Sequence, residues 1–164
     1  MGTNSAAALA GAACAALVLI GAANPGPAPA ASPVAIVVHP HTPVDDISFV
    51  ELRRIFLGEQ QFWNGGKTRV TLLVRPPRSS ERAVILDRVY RMNEGQFRQY
   101  WIAKLFRAEV SSGPKIVYTN ETALELVSAI PGAISFLDAS VPTRAVKVLR
   151  IDGIAPGQPG YRLQ

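Results

Sequence analysis

Residues 70–90 read V-T-L-L-V-R-P-P-R-S-S-E-R-A-V-I-L-D-R-V-Y. Val70 to Val74 is a short apolar run of buried-strand character. The prolines at 76 and 77 interrupt it, since a prolyl residue lacks the N–H that a ladder or helix interior needs. Ser79 can then cap a helix on which Ile85, Leu86, Val89 and Tyr90 form an apolar stripe. A change from strand to helix within one stretch marks an α/β unit.

The same alternation extends in both directions. Val34 to His39 is a β-branched run ended by the P-H-T-P loop. Ser48 with Glu51 has capping-box spacing, Ile47 and Leu52 can staple across it, and Phe49, Leu52, Ile55 and Phe56 share one helical face up to Gly58. A turn at Asn64-Gly65-Gly66 leads back to the strand at 70. Asn93 with Gln96 opens a further helix carrying Phe97, Trp101 and Leu105 at four-residue spacing. Next come a strand at Ile116 to Tyr118, a helix from about Asn120 to Ala129, and strands at Ala133 to Leu137 and Ala145 to Ile151. Strands separated by helices predict an α/β domain with a mostly parallel sheet flanked by helices.

Charge divides the chain. Every Asp, Glu, Lys and Arg lies at or after Asp45, so the net charge of +5 belongs to the later part. Residues 6–23 are uncharged and apolar, and a Pro- and Ala-rich stretch follows, the order of a secretory signal with small-residue exits after Ala23 or Ala30. The expectation is a signal peptide and linker over residues 1–31, a domain over 32–152, a flexible tail over 153–164, and a periplasmic or otherwise extracytoplasmic location. The opening M-G-T-N-S lacks the usual basic residue, and a retained membrane anchor is the competing reading. Gly2 and Cys14 fit lipidation patterns only loosely. Cleavage would remove Cys14, the single cysteine, and with it disulfide and thiol chemistry.

The series E-L-R-R-I-F-L-G (51–58), Trp63, the serine-led helix at 79–82, Tyr100-Trp101 and P-G-A-I-S-F (131–136) resembles the phosphate-binding (PstS-like) proteins of ABC importers, in particular short, single-lobe members. The resemblance spans about Val34 to Leu149. It implies a single lobe of a type II periplasmic-binding-protein fold that holds an oxyanion at a helix N-terminus. In the family that helix opens with a Ser-Gly-Thr-Arg-like run after a strand and an arginine. Ser79 and Arg82 match in type, with Arg75 at the strand end; Ser80 and Glu81 depart, and no aspartate lies between Arg75 and Ser79.

Elementary chemistry points to the same segment. Arg75 and Arg78 offer fork-shaped donors, Ser79 a hydroxyl, and the first amides of the helix around Ser80 to Arg82 the rest of an anion cradle. The expected ligand-binding residues are therefore Arg75, Arg78, Ser79, Ser80 and Arg82. The same residues also read as an ordinary capped helix with solvated arginines. A carboxylate at Glu81 competes with an anion for those amides.

Other chemistry has thinner support. His39 and His41 beside Asp45 and Asp46 suggest a metal, but proline stands between the histidines, and no metal or cofactor is expected. Trp63, Tyr100 and Trp101 are read as core. The absence of a nucleophile elbow or a nucleotide-type phosphate loop argues against an enzyme. The pI of 9.8 reflects Lys and Arg spread along the chain, so no nucleic-acid partner is expected. Two functions remain: an extracytoplasmic solute-binding protein for phosphate or a related oxyanion, with an ABC permease as its partner, and an interaction module of an envelope sensor, porin or receptor complex.

Overall fold

Strand β1, Val34–Val38, is buried at all five positions because it lies inside a sheet covered on both faces. The computed structural model describes residues 1–2, 32–63 and 66–164. After β1 come β2 (Asp46–Ile47), α1 (Phe49–Phe56), β3 (Thr71–Val74), α2 (Ser80–Ile85), α3 (Glu94–Phe106), β4 (Lys115–Ile116), α4 (Asn120–Ala129), β5 (Ala133–Asp138), β6 (Lys147–Val148) and β7 (Arg150–Ile151). The main sheet has the order β4-β3-β5-β1-β6, and β2 pairs with β7 alongside it.

Period-2 alternation sorts the strand residues into two layers. Ile36, Val74, Ile134 and Phe136 point into the larger core, which Leu52, Ile55, Phe56, Ile85, Val89, Tyr90 and Trp101 complete from the helical side. Val37, Leu73, Ala133 and Leu137 point to the other face, where Ala123 and Val127 of α4 cover them. The expected α/β architecture, a sheet with helices on both faces, is therefore present.

Three of the five strand pairings are parallel: β3 with β4, β3 with β5, and β2 with β7. The α2–α3 segment crosses between the parallel neighbours β3 and β4, and α4 carries the chain from β4 past β3 to β5 on β3's other side, the crossovers that parallel strands require. β1 runs antiparallel to both β5 and β6, with Ile36 opposite Phe136 and Val37 opposite Val148.

Several local expectations change. The strand expected over Ala145 to Ile151 splits at Leu149: β6 stays on the main sheet, whereas β7 turns to β2. Leu149 N donates to the Ile36 carbonyl at 2.9 Å and Arg150 N to the Asp45 carbonyl at 3.0 Å, so adjacent residues serve different sheets. α2 runs on into a π-helical turn, Leu86–Tyr90, closed by Arg91 in the left-handed region. Ser48 Oγ caps α1 by accepting from Glu51 N, but the Glu51 side chain accepts from Gln60 Nε2 and leaves the box unclosed. Asn93 and Gln96 close theirs, each side chain bonded at 2.9 Å. Leu105 is exposed, because a four-residue step rotates about 40° past one turn, and two steps carry the side chain off the buried face.

The C-terminal segment is also docked where a flexible tail was expected. Tyr161 and Leu163 are buried, Val34 N donates to the Leu163 carbonyl at 2.8 Å, and Tyr161 Oη donates to the Val34 carbonyl at 2.7 Å. The packed unit thus runs past residue 152. Most of the expected leader lies outside the described residues. Among the described residues no helix is long and apolar enough to cross a membrane.

Candidate functional site

Strands β3 and β4 run parallel with Val74 opposite Ile116, so their C-terminal exits lie side by side. Arg75 is the first residue beyond β3, and its side chain folds into that junction, only 6% exposed. Its Nη1 donates to the Val117 carbonyl at 3.1 Å, while Nε is buried without a partner. No carboxylate lies within ion-pair distance of this guanidinium among the described residues. Arginine stays protonated when buried, so one carbonyl leaves most of a unit charge uncompensated.

Arg82 is arranged differently. It sits one turn into α2, buried, with Nε and Nη2 gripping both oxygens of Glu94 at 2.6 and 2.9 Å. Nη1 donates to the Arg75 carbonyl at 2.8 Å, and the guanidinium lies 4.6 Å from the Phe97 ring centroid. All three of its nitrogens are therefore engaged inside the protein. Arg82 braces the segment that carries Arg75, binding α2 to the start of α3. Glu94 is a residue that sequence reasoning passed over. It lies 12 residues from Arg82, and no local pattern links the two.

The intervening residues shape the strand-to-helix turn. Ser79 N donates to the Pro76 carbonyl at 3.3 Å, and Ser79 Oγ accepts from Arg82 N at 3.3 Å, the helix-capping role. Arg78 takes φ 74°, an unusual backbone for arginine, and its side chain is exposed and forms no ion pair among the described residues. Ser80 is exposed, with Oγ donating to Glu81 Oε2 at 3.4 Å. Arg75, Arg78, Ser79 and Ser80 thus cluster within one turn of chain at the sheet end. The Arg82 guanidinium reaches the same turn through the Arg75 carbonyl. The neighbouring exit leads to Asn120, first residue of α4, whose Oδ1 is also buried and unpartnered.

At the same end of the sheet β5 finishes at Asp138, held below the ordinary carboxylate range because Ser140 donates to Oδ1 from both its hydroxyl and its amide. The remaining candidates from the sequence have structural roles. Trp63 is buried with Nε1 donating to the Gly132 carbonyl at 2.9 Å, Trp101 is buried in the core, and Tyr100 Oη donates to the Leu57 carbonyl at 2.8 Å. His39 Nδ1 accepts from His41 N at 3.2 Å, and Asp45 pairs with Lys147 at 2.8 Å. Among the described residues no three potential metal ligands gather.

No protein-family model matches the chain. It is 35% identical over 127 residues to the phosphate-binding protein PstS of Bacillus subtilis (strain 168), covering 75% of this chain and 37% of that protein. Its fold matches an ABC-type phosphate transport receptor from Vibrio cholerae, with a TM-score of 0.61 at 20% identity over 76% of this chain and 48% of the other. PstS from Borrelia burgdorferi matches with a TM-score of 0.60 at 19% identity, again over 76% of this chain and 49% of the other. The chain therefore spans little more than a third of its curated relative and about half of each structural one.

Proposed function

This chain belongs to the PstS-like family, and on that premise we propose that it captures phosphate or a related oxyanion at the exit of β3. The observation that carries the reading is Arg75, a buried guanidinium with, among the described residues, an unpartnered Nε and no carboxylate within ion-pair distance. An anion supplies the missing charge and accepts from the free N–H. Arg78, Ser79 and Ser80 follow Arg75 in the same strand-to-helix turn. Arg78 brings an exposed cation that forms no ion pair among the described residues, and Ser80 brings a hydroxyl now directed at Glu81. Arg82 acts through position, holding the Arg75 carbonyl while Glu94 neutralises its own charge.

The activity so proposed is binding without catalysis, outside the cytoplasm if the apolar residues 6–23 direct export. An ABC permease is the partner that fits a phosphate-binding protein of this family. A cradle of a few charge-assisted bonds, each about 1.5–3 kcal/mol before ordering costs, gives affinities of about millimolar to high micromolar.

Titration calorimetry with inorganic phosphate at low ionic strength tests this. Saturable heat is expected, weaker in Arg75→Ala and stronger in Glu81→Thr, which frees the Ser80 hydroxyl and removes a competing carboxylate. Absence of saturable heat from both the wild type and Glu81→Thr would end the reading.

A further inference from the structure

The sheet has an open edge at β4, which pairs with β3 and has no neighbour on its other side among the described residues. In a parallel ladder alternate residues bond to opposite sides. Val117 N donates inward to the Val74 carbonyl, so Ile116 presents its N–H and C=O outward. Exposed edges commonly carry charge or are covered, and this one carries Lys115. Here Ile116 is 46% exposed, and beside it a groove of about 400 Å³ opens between the edge and α3.

Its walls are apolar: Phe97, Trp101, Ile102 and Leu105 from α3 face Pro114 and Ile116. Ile102 and Leu105 are exposed, the latter because of the helical drift described above. The charges near the groove are unequal. Glu94 is taken by Arg82, whereas Arg98 on the groove wall and Lys115 on the strand are exposed and form no ion pair among the described residues.

We infer that this edge takes up an extended peptide segment of a partner protein, in which apolar residues alternate with carboxylates, as an added strand beside β4. The two faces of β4 set the alternation. Val74, opposite Ile116, belongs to the core under α2 and α3, so that face directs apolar side chains into the groove. Leu73, opposite Lys115, belongs to the core under α4, so the other face places an incoming carboxylate beside the Lys115 ammonium. Arg98, on the groove wall, faces the apolar side of the added strand and contributes only longer-range attraction for its carboxylates. Main-chain bonds from Ile116 would supply adhesion and the alternation would supply selectivity. This inference is independent of anion capture at Arg75, since it uses neither Arg75 nor the serines.

The test uses the full chain, labelled with nitrogen-15, and two short blocked peptides that alternate valine with glutamate or valine with lysine. The glutamate peptide should bind saturably, shift the resonances of Ile116 and Leu105, and slow hydrogen exchange at the Ile116 amide. Charge reversal in Lys115→Glu should weaken it by about fivefold at low salt, the upper end for one partly exposed ion pair. Leu105→Glu, at an exposed site that leaves the core intact, should abolish binding. Equal binding of the lysine peptide, no saturable shift with the glutamate peptide, or binding unchanged by Leu105→Glu would each overturn the inference. So would a concentration-dependent dimer that protects Ile116 without peptide, which would make the occupant a second copy.

Discussion

Replacing Gly132 by Ala probes the junction on which the sheet is organised. Gly132 has φ 84°, and a Cβ there would collide with the backbone carbonyl oxygen of Arg69. Its own carbonyl accepts from Thr71 N at 3.1 Å and from Trp63 Nε1 at 2.9 Å, so the residue ties the start of β3 and a fully buried tryptophan to the start of β5. A side chain in the left-handed region costs about 1–2 kcal/mol. The collision can be relieved only by moving backbone, which strains both bonds at about 1 kcal/mol each. The expected loss is therefore about 3–4 kcal/mol, a large share of the roughly 5–15 kcal/mol of a typical domain. In this size range that is a fall in Tm of about 10–15 °C. Urea and thermal unfolding of Gly132→Ala would measure it, beside Gly113→Ala, where the nearest atom to an added Cβ is 3.7 Å away and the effect should be small. A Gly132→Ala protein within about 1 kcal/mol of wild type would show that the junction accepts a Cβ against the Arg69 carbonyl without strain.

Two further outcomes follow from the ion pairs and hydrogen bonds near the sheet end. Glu94→Gln leaves the buried Arg82 without its counter-charge; breaking a fully buried pair costs about 3–5 kcal/mol, but Glu94 is 41% exposed and Arg82 keeps the Arg75 carbonyl, so about 2 kcal/mol is expected in urea unfolding. Asp138 has its folded pKa lowered, so its contribution is present above the ordinary carboxylate pKa of about 3.9 and is lost as pH falls through the folded value. Ser140→Ala should lower stability at neutral pH and flatten the loss on acidification, read from urea midpoints against pH.

Legibility in the sequence followed the range of the interactions. The change of period between Val70 and Tyr90, the Ser79 cap and the Asn93–Gln96 box are set within a few residues, and all stand in the structure. The split at Leu149 depends on which distant carbonyls, Ile36 or Asp45, are in reach, and no window around Leu149 contains that information. Residues 153–164 look loose because Gly and Pro dominate them, yet Tyr161 and Leu163 find partners at Val34, more than a hundred residues away. At the candidate site, Arg75 and Ser79 were visible as a strand end and a cap. The difference between Arg75 and Arg82 was not, since it rests on Glu94 and on the Val117 carbonyl across the β3–β4 junction. The parallel register that brings the β4 exit at Val117 beside Arg75 is likewise a tertiary fact.

The most direct measurement of the central claim is the Nε–H resonance of Arg75, followed by nitrogen-15 NMR while inorganic phosphate is added to the full chain at constant ionic strength. A saturable downfield shift of that proton is expected as its unpartnered donor finds an oxyanion, with the Arg82 Nε–H, held by Glu94, almost unmoved. An Arg75 resonance that stays still, or moves equally with added chloride, would contradict it.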